Sequence, residues 1–188
     1  MTHARPRLLV LLSAVLAAAA LASAAQWNMR PKESTLTFVG NQAGADFEGA
    51  FQTFTADIQF DPHNLASSRF DVTIDLASVN SRDSERDDII RGPDLFDVAR
   101  YPNARYVAEK FTARGGAKYT ATGKLTLRNV TRDVPIDFNF ETQDSGAWLR
   151  GAARIRRLDF GVGQGEWQDT EWVGNEVGVK FALKLAKQ

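Results

Sequence analysis

The stretch Tyr119-Thr120-Ala121-Thr122-Gly123-Lys124-Leu125-Thr126-Leu127-Arg128 puts an apolar or small side chain at every odd position and a polar one at every even position. A period of two is the period of a half-buried strand, whose side chains point alternately to the two faces of a sheet. The pattern recurs along the chain. Val134, Ile136, Phe138 and Phe140 alternate with Asp137, Asn139 and Glu141, and Phe70, Val72, Ile74 and Leu76 alternate with Asp71, Thr73 and Asp75. Near the C-terminus Val177, Val179, Phe181, Leu183 and Leu185 share one face, with Lys180 and Lys184 on the other. Each strand therefore has one dry and one wet face.

Further strands are read at Thr35–Gly40, Phe47–Asp61, Ala104–Thr112 and Trp148–Arg156, giving an all-β chain of about eight strands. Eight is the number at which a closed barrel just holds side chains or one small ligand. Within Phe47–Asp61 the apolar parity changes between Phe47/Phe51 and Phe54/Ile58/Phe60, which places a bulge near Gln52. Turn chemistry stands at Asp61-Pro62-His63-Asn64, Arg114-Gly115-Gly116 and Asp144-Ser145-Gly146. Ser84–Asp97 breaks the alternation. There Ile89, Ile90, Leu95 and Phe96 fit one side of a short helix started by Ser84, expected to cap one mouth of the barrel and to end by Tyr101-Pro102.

The N-terminus reads as a targeting segment. Arg5 and Arg7 precede an apolar run from Leu8 to Leu21, and Ala22-Ser23-Ala24 supplies a small-residue cleavage site. The expectation is a signal peptide over residues 1–24 and one mature domain over 25–188, exported to the periplasm. The formal balance is 23 basic against 23 acidic side chains, and removing Arg5 and Arg7 with no acid leaves the mature chain two charges negative. That balance favours neither nucleic acid nor anionic membrane surfaces. Export permits disulfides, yet the sequence has no Cys, so stability must come from packing and hydrogen bonds.

The residue types argue against an enzyme. His63 is the sole imidazole of the mature chain and falls in a turn, which leaves no base for a Ser-His-Asp relay and too few ligands for zinc. The run Asp83-Ser84-Glu85-Arg86-Asp87-Asp88 lacks the central glycine and late glutamate of a calcium loop. It reads instead as acids at the positive end of a helix, paired with Arg86 and Arg91. No catalytic residue, metal site or cofactor is expected.

Phenylalanine is the unusual component. One reading fills the barrel with these rings. The other notes that Gly49, Ala56, Ala121, Gly123, Gly151 and Ala153 also fall on inward positions, where small residues beside flat rings leave room for a long ligand. On the second reading Phe38, Phe51, Phe54, Phe70, Ile74, Leu125 and Phe138 form the lining, with Leu95 and Phe96 closing the cap. Trp167 and Trp172 either close a mouth or contact a membrane interface, or else anchor their Gly-rich loop on the wall.

Several of these pieces, in this order, resemble the YceI-like family of periplasmic polyisoprenoid-binding proteins. They are Phe47-x-Gly49-x-Phe51 with Phe54, Ile58-x-Phe60-Asp61, Glu85-Arg86-Asp87, Leu95-Phe96-Asp97 with Tyr101-Pro102, Gly123 through Thr131 with Val134, and Asp159-Phe160-Gly161-Val162. The resemblance implies an eight-stranded antiparallel, lipocalin-like barrel whose elongated apolar cavity holds a long-chain isoprenoid, such as a polyprenyl lipid or a quinone-like molecule, without catalysis. Many members carry a His after the first apolar run, where this chain has Val39-Gly40-Asn41-Gln42, so head-group recognition by that His does not carry over. The stretch Gly165-Glu166-Trp167-x-Asp169-Thr170-x-Trp172 looks like a branch associated with membrane cytochrome b561 components. It implies an alternative role, a filled barrel acting beside a cytochrome b561-type partner.

Overall fold

The computed structural model describes residues 25–188, so the expected signal peptide, residues 1–24, lies outside the described residues. The strands are β1 (Gln26–Met29), β2 (Thr35–Gln42), β3 (Ala45–Phe51), β4 (Phe54–Gln59), β5 (Arg69–Asp75) and β6 (Val79–Asn80). After the helix α1 (Ser84–Arg91) come β7 (Asn103–Gly115), β8 (Lys118–Leu127), β9 (Val130–Gln143), β10 (Gly146–Arg156) and β11 (Glu176–Lys187).

All pairings are antiparallel, and the sheet closes because β1 hydrogen-bonds to β4 on one side and to β11 on the other. Three staves of the barrel are broken at the same level. β1 and β2 share the edge of β11, β3 and β4 continue one another, and β6 extends β5 beside β3. Counted as staves, β1/β2, β3/β4, β5/β6 and β7 to β11 make the expected eight-stranded antiparallel barrel with one short helix.

The parity change expected near Gln52 is an interruption at Gln52–Thr53. Odd residues Phe47, Gly49 and Phe51 face inward before it, and even residues Phe54, Ala56 and Ile58 after it. Ser78 repairs the broken ladder: its carbonyl accepts from Gln52 N and its hydroxyl from Thr53 N. A similar slip after Ala108 in β7 turns Phe111 inward. Between β8 and β9 both turn residues, Arg128 (φ 47°) and Asn129 (φ 62°), are left-handed, as a type I′ hairpin requires.

The structure departs from the sequence reading in several places. β1 was not expected, although Trp27 is buried and its Nε1 donates to Phe60 O. α1 starts at Ser84 as expected, with the carboxylate of the N-cap Asp83 accepting from Arg86 N, but it ends at Arg91, so Leu95 and Phe96 lie on the loop that follows it. Ile90 is buried but Ile89 is exposed, because a helix this short turns only a narrow stripe inward. The salt bridges expected for Arg86 and Arg91 form, with Asp83 and Asp88.

Candidate ligand-binding cavity

The two halves of the barrel interior are built differently. In the half away from α1, Phe60 is fully buried and meets Phe70, Phe111, Tyr119, Phe138 and Phe140 with ring centroids 4.8–5.9 Å apart. Trp27 packs edge-on against Phe140 at 5.3 Å. Such mostly tilted and edge-to-face contacts are the favoured geometry for aromatic pairs, and they leave this half solid.

The half under α1 holds a cavity of about 220 Å³. Phe38, Phe51, Phe54, Phe70, Ile74 and Leu125 line its wall, as do Leu95 and Phe96 of the loop after α1. Phe51 couples wall to cap, with ring centroids 5.5 Å from Phe38 and 6.0 Å from Phe96. Phe138 does not line this space. It belongs to the aromatic plug, stacked on Tyr119 at 5.5 Å. Phe70 belongs to both and forms the floor between them.

The glycines do not leave the room expected of them. A Cβ at Gly49 would run into Phe38, one at Gly123 would lie 2.5 Å from the ring and hydroxyl of Tyr106, and one at Gly151 would lie 2.5 Å from Phe181. Ala121 is fully buried and lines no part of the cavity. Rings from neighbouring strands take up the space at Gly49, Gly123 and Gly151, whereas Ala153 does line the cavity, and alternation alone cannot distinguish the two uses.

Three polar side chains reach the cavity wall, and each already has a partner. Tyr106 Oη donates to Val134 O at 3.1 Å, and burial drives its phenol well above the ordinary value. Asn41 Nδ2 donates to Asp46 at 2.8 Å. Arg157, only 4 % exposed, donates to four backbone carbonyls: Gly174 (3.0 Å), Val162 (3.0 Å), Trp167 (2.6 Å) and Val173 (2.6 Å). Among the described residues no carboxylate forms a salt bridge with Arg157, and burial lowers its pKa below the ordinary guanidinium value.

Arg157 is one of two arginines that fix the mouth, and neither was singled out in the sequence. It gathers the loop after β10 around itself. That loop is tied in turn to the loop after α1, because Asp94 O accepts from both Gly163 N and Gln164 N at 2.9 Å. The second, Arg128, reaches from the β8–β9 turn to the carbonyls of Pro93 and Leu95. The sequence signal available was the Gly161-Val162-Gly163 run, whose positive φ angles let the loop fold back.

The two tryptophans part company. Trp167 packs partly buried against the core, while Trp172 is 55 % exposed and lies outside the lining. Trp172 and Ile89 are the large apolar side chains left exposed among the described residues, and both sit at the cavity end of the barrel. His63 is exposed in its turn, as read from the sequence, with its N–H on Asp61 Oδ1. No group of three or more potential metal-ligating side chains gathers among the described residues.

Comparison with known proteins agrees with this architecture. A UPF0312 protein of Vibrio parahaemolyticus is 32 % identical over 136 residues, spanning 69 % of this chain and 72 % of its own. The crystal structure of BcnA from Burkholderia cenocepacia superposes with a TM-score of 0.81 at 35 % identity, covering 85 % of this chain and 99 % of that one. A polyisoprenoid binding domain from Saccharophagus degradans, implicated in plant cell wall breakdown, shares the fold at 17 % identity with a TM-score of 0.70, covering 88 % of this chain and 99 % of its own. The profile of the YceI-like domain matches residues 27–185, nearly the whole described barrel, and the chain belongs to the YceI-like domain family.

Proposed function

We propose that this chain is a non-catalytic binding or carrier protein for an isoprenoid lipid, a polyprenyl or quinone-like molecule whose apolar chain lies in the cavity under α1. The observation that carries this reading is the lining. It is apolar apart from Asn41, Tyr106 and Arg157, and those three already bond within the protein. Such a wall rewards burial of hydrocarbon, about 0.8 kcal/mol per CH₂, and offers little to a head group. Membership of the YceI-like family and the fold shared with a domain named for polyisoprenoid binding support the same choice. The ligand contacts are assigned to Phe38, Phe51, Phe54, Phe70, Ile74, Leu125, Leu95 and Phe96. Phe138 acts from behind the floor.

The signal-like residues 1–24 support a periplasmic location for the mature protein. N-terminal sequencing of the exported form is expected to begin at or near Ala25, and an intact Met1 would contradict this. A cytochrome b561-type partner is favoured by one observation, the exposed Trp172 at the cavity end of the barrel, where a membrane component could receive the lipid. Organic extraction of the purified mature protein followed by mass spectrometry tests the lipid assignment. An isoprenoid recovered in proportion to protein supports it. A protein that carries no lipid and takes up none on incubation contradicts it.

A further inference from the structure

We infer that the outer wall of the barrel carries a second site, a cationic groove across β8 to β11 that binds a small organic anion bearing several phosphate groups. The inference is independent of the lipid reading. The groove lies outside the barrel, behind the aromatic plug, and none of its charged side chains lines the cavity under α1.

The register builds the groove. Two neighbouring outward rows cross the four strands, one through Lys118, Asn139, Arg150 and Ala182, the other through Thr120, Asp137, Ala152 and Lys180. Asn139 and Ala152 are short beside Lys118, Arg150 and Lys180, so the wall dips between the longer side chains. Arg114, near the end of β7, closes one side. Its Nε donates to Thr120 Oγ1 at 2.9 Å, and that hydroxyl donates to Asp137 Oδ1 at 2.6 Å. Thr120 points outward yet is only 8 % exposed, which shows how closely Arg114 covers it. The guanidinium is thus held by one nitrogen, and its two Nη groups stay uncommitted among the described residues. Four cations face the groove against one carboxylate, Asp137. Among the described residues Arg114, Lys118 and Lys180 form no salt bridge, whereas Arg150 pairs with Glu141 at 3.2 Å and lies over the Trp148 ring at 4.2 Å. This local excess of positive charge stands on a mature chain that is two charges negative.

The donors select the ligand class. Lys118 on β8 and Lys180 on β11 stand three strand spacings apart, roughly 14 Å across the sheet, so a ligand that meets both without drawing them together carries more than one anionic group. Phosphate suits these donors. A Lys ammonium is a compact point charge, and the free edge of Arg114 offers the planar fork that grips two phosphate oxygens at once. A bilayer fits less well, because the cations flank a hollow rather than a flat face. The large apolar side chains left exposed among the described residues, Trp172 and Ile89, also sit at the cavity end and not on this wall.

Isothermal titration of the mature protein with inositol hexakisphosphate at low ionic strength tests the site. Wild type should bind one equivalent, and inorganic phosphate should bind at least about tenfold more weakly. Lys118→Gln and Lys180→Gln should each weaken binding of inositol hexakisphosphate about fivefold, with further weakening as salt is added. Asp137→Asn removes the opposing carboxylate while its Oδ1 still accepts from Thr120, and should tighten binding. Arg100→Gln, which removes an exposed cation at the cavity end, should leave it unchanged. All four positions are exposed, so the variants keep the fold. Equal weakening by Arg100→Gln and the two lysine variants would reduce the effect to net charge and overturn the site. Absence of binding by inositol hexakisphosphate would overturn it as well. So would binding confined to vesicles that contain phosphatidylglycerol, which would assign this wall to a membrane surface.

Discussion

The guanidinium of Arg157 fills the space that any side chain at Gly163 would need, while the loop carrying Gly163 wraps that guanidinium in its own carbonyls. The two residues form one device. Gly163 also holds φ at +115°, a region that L side chains rarely adopt. Gly163→Ala is therefore expected to destabilise by about 1–3 kcal/mol. Arg157→Met leaves four carbonyls without their donor and should cost about 3 kcal/mol or more. Denaturant unfolding measures both. Unchanged midpoints would show that the loop is held by other means.

Gly123 and Tyr106 make a second such pair, inside the barrel. A methyl group at Gly123 would press on the Tyr106 ring and on Val107 O at 2.6 Å, so Gly123→Ala should destabilise by about 1–3 kcal/mol. A larger residue there should prevent folding rather than obstruct a ligand. A folded, ligand-free Gly123→Trp variant would contradict this packing.

Tyr106 also gives a pH signature at the alkaline end. Burial raises its phenol in the folded state, so above the ordinary value of 10.0 the unfolded chain sheds a proton that the folded one keeps. Stability from this group is complete below that value and falls as pH rises beyond it. Tyr106→Phe should flatten the fall. An equally steep alkaline loss in the variant would assign it elsewhere.

At the acid end the group to watch is Asp71, on the outer face of β5. Hydrogen bonds from Arg105 at 2.6 and 2.8 Å, aided by Arg69 at 3.0 Å, hold its carboxyl below the ordinary 3.8. Its contribution is present above 3.8 and disappears as pH falls through the lower folded value. Asp71→Asn should therefore make stability less dependent on pH below that point. The chemical shift of the Asp71 carboxyl, followed by NMR, should titrate below 3.8, and a normal titration would contradict the arrangement.

Much of the wall was legible in the sequence. The odd positions of β8 and β11 and the even positions of β5 and β9 point inward as their alternation requires, and eight of the proposed contact residues were read from that alternation and from the break after it. What alternation could not show is how far a ring reaches across the barrel. Phe138 points inward correctly but lies in the plug, and Gly49, Gly123 and Gly151 face inward only to receive Phe38, Tyr106 and Phe181. Arg157 and Arg128 give no such signal, because their partners are backbone carbonyls, which carry no signature in the sequence. β1, only four residues long, is too short for the pattern to stand out, although Trp27 and Met29 alternate with Asn28.

The cap should matter more to retention than to folding at Phe96, which is half-buried, and to both at Leu95, which is buried. Leu95→Ala is expected to cost about 2–5 kcal/mol of stability. Phe96→Ala should cost less and speed ligand release. Release rates that follow stability alone across the two variants would leave the cap without a separate role.

The central claim is that a prenyl chain lies in the cavity under α1, and photo-crosslinking tests it most directly. A farnesol analogue carrying a photoreactive tail is bound to the mature protein, irradiated, and mapped by peptide mass spectrometry. The expected labels fall on the peptides carrying Phe51 and Phe54, Ile74, Phe96 and Leu125, and they disappear in excess farnesol. Labels confined to the outer wall, or unaffected by excess farnesol, would contradict the claim.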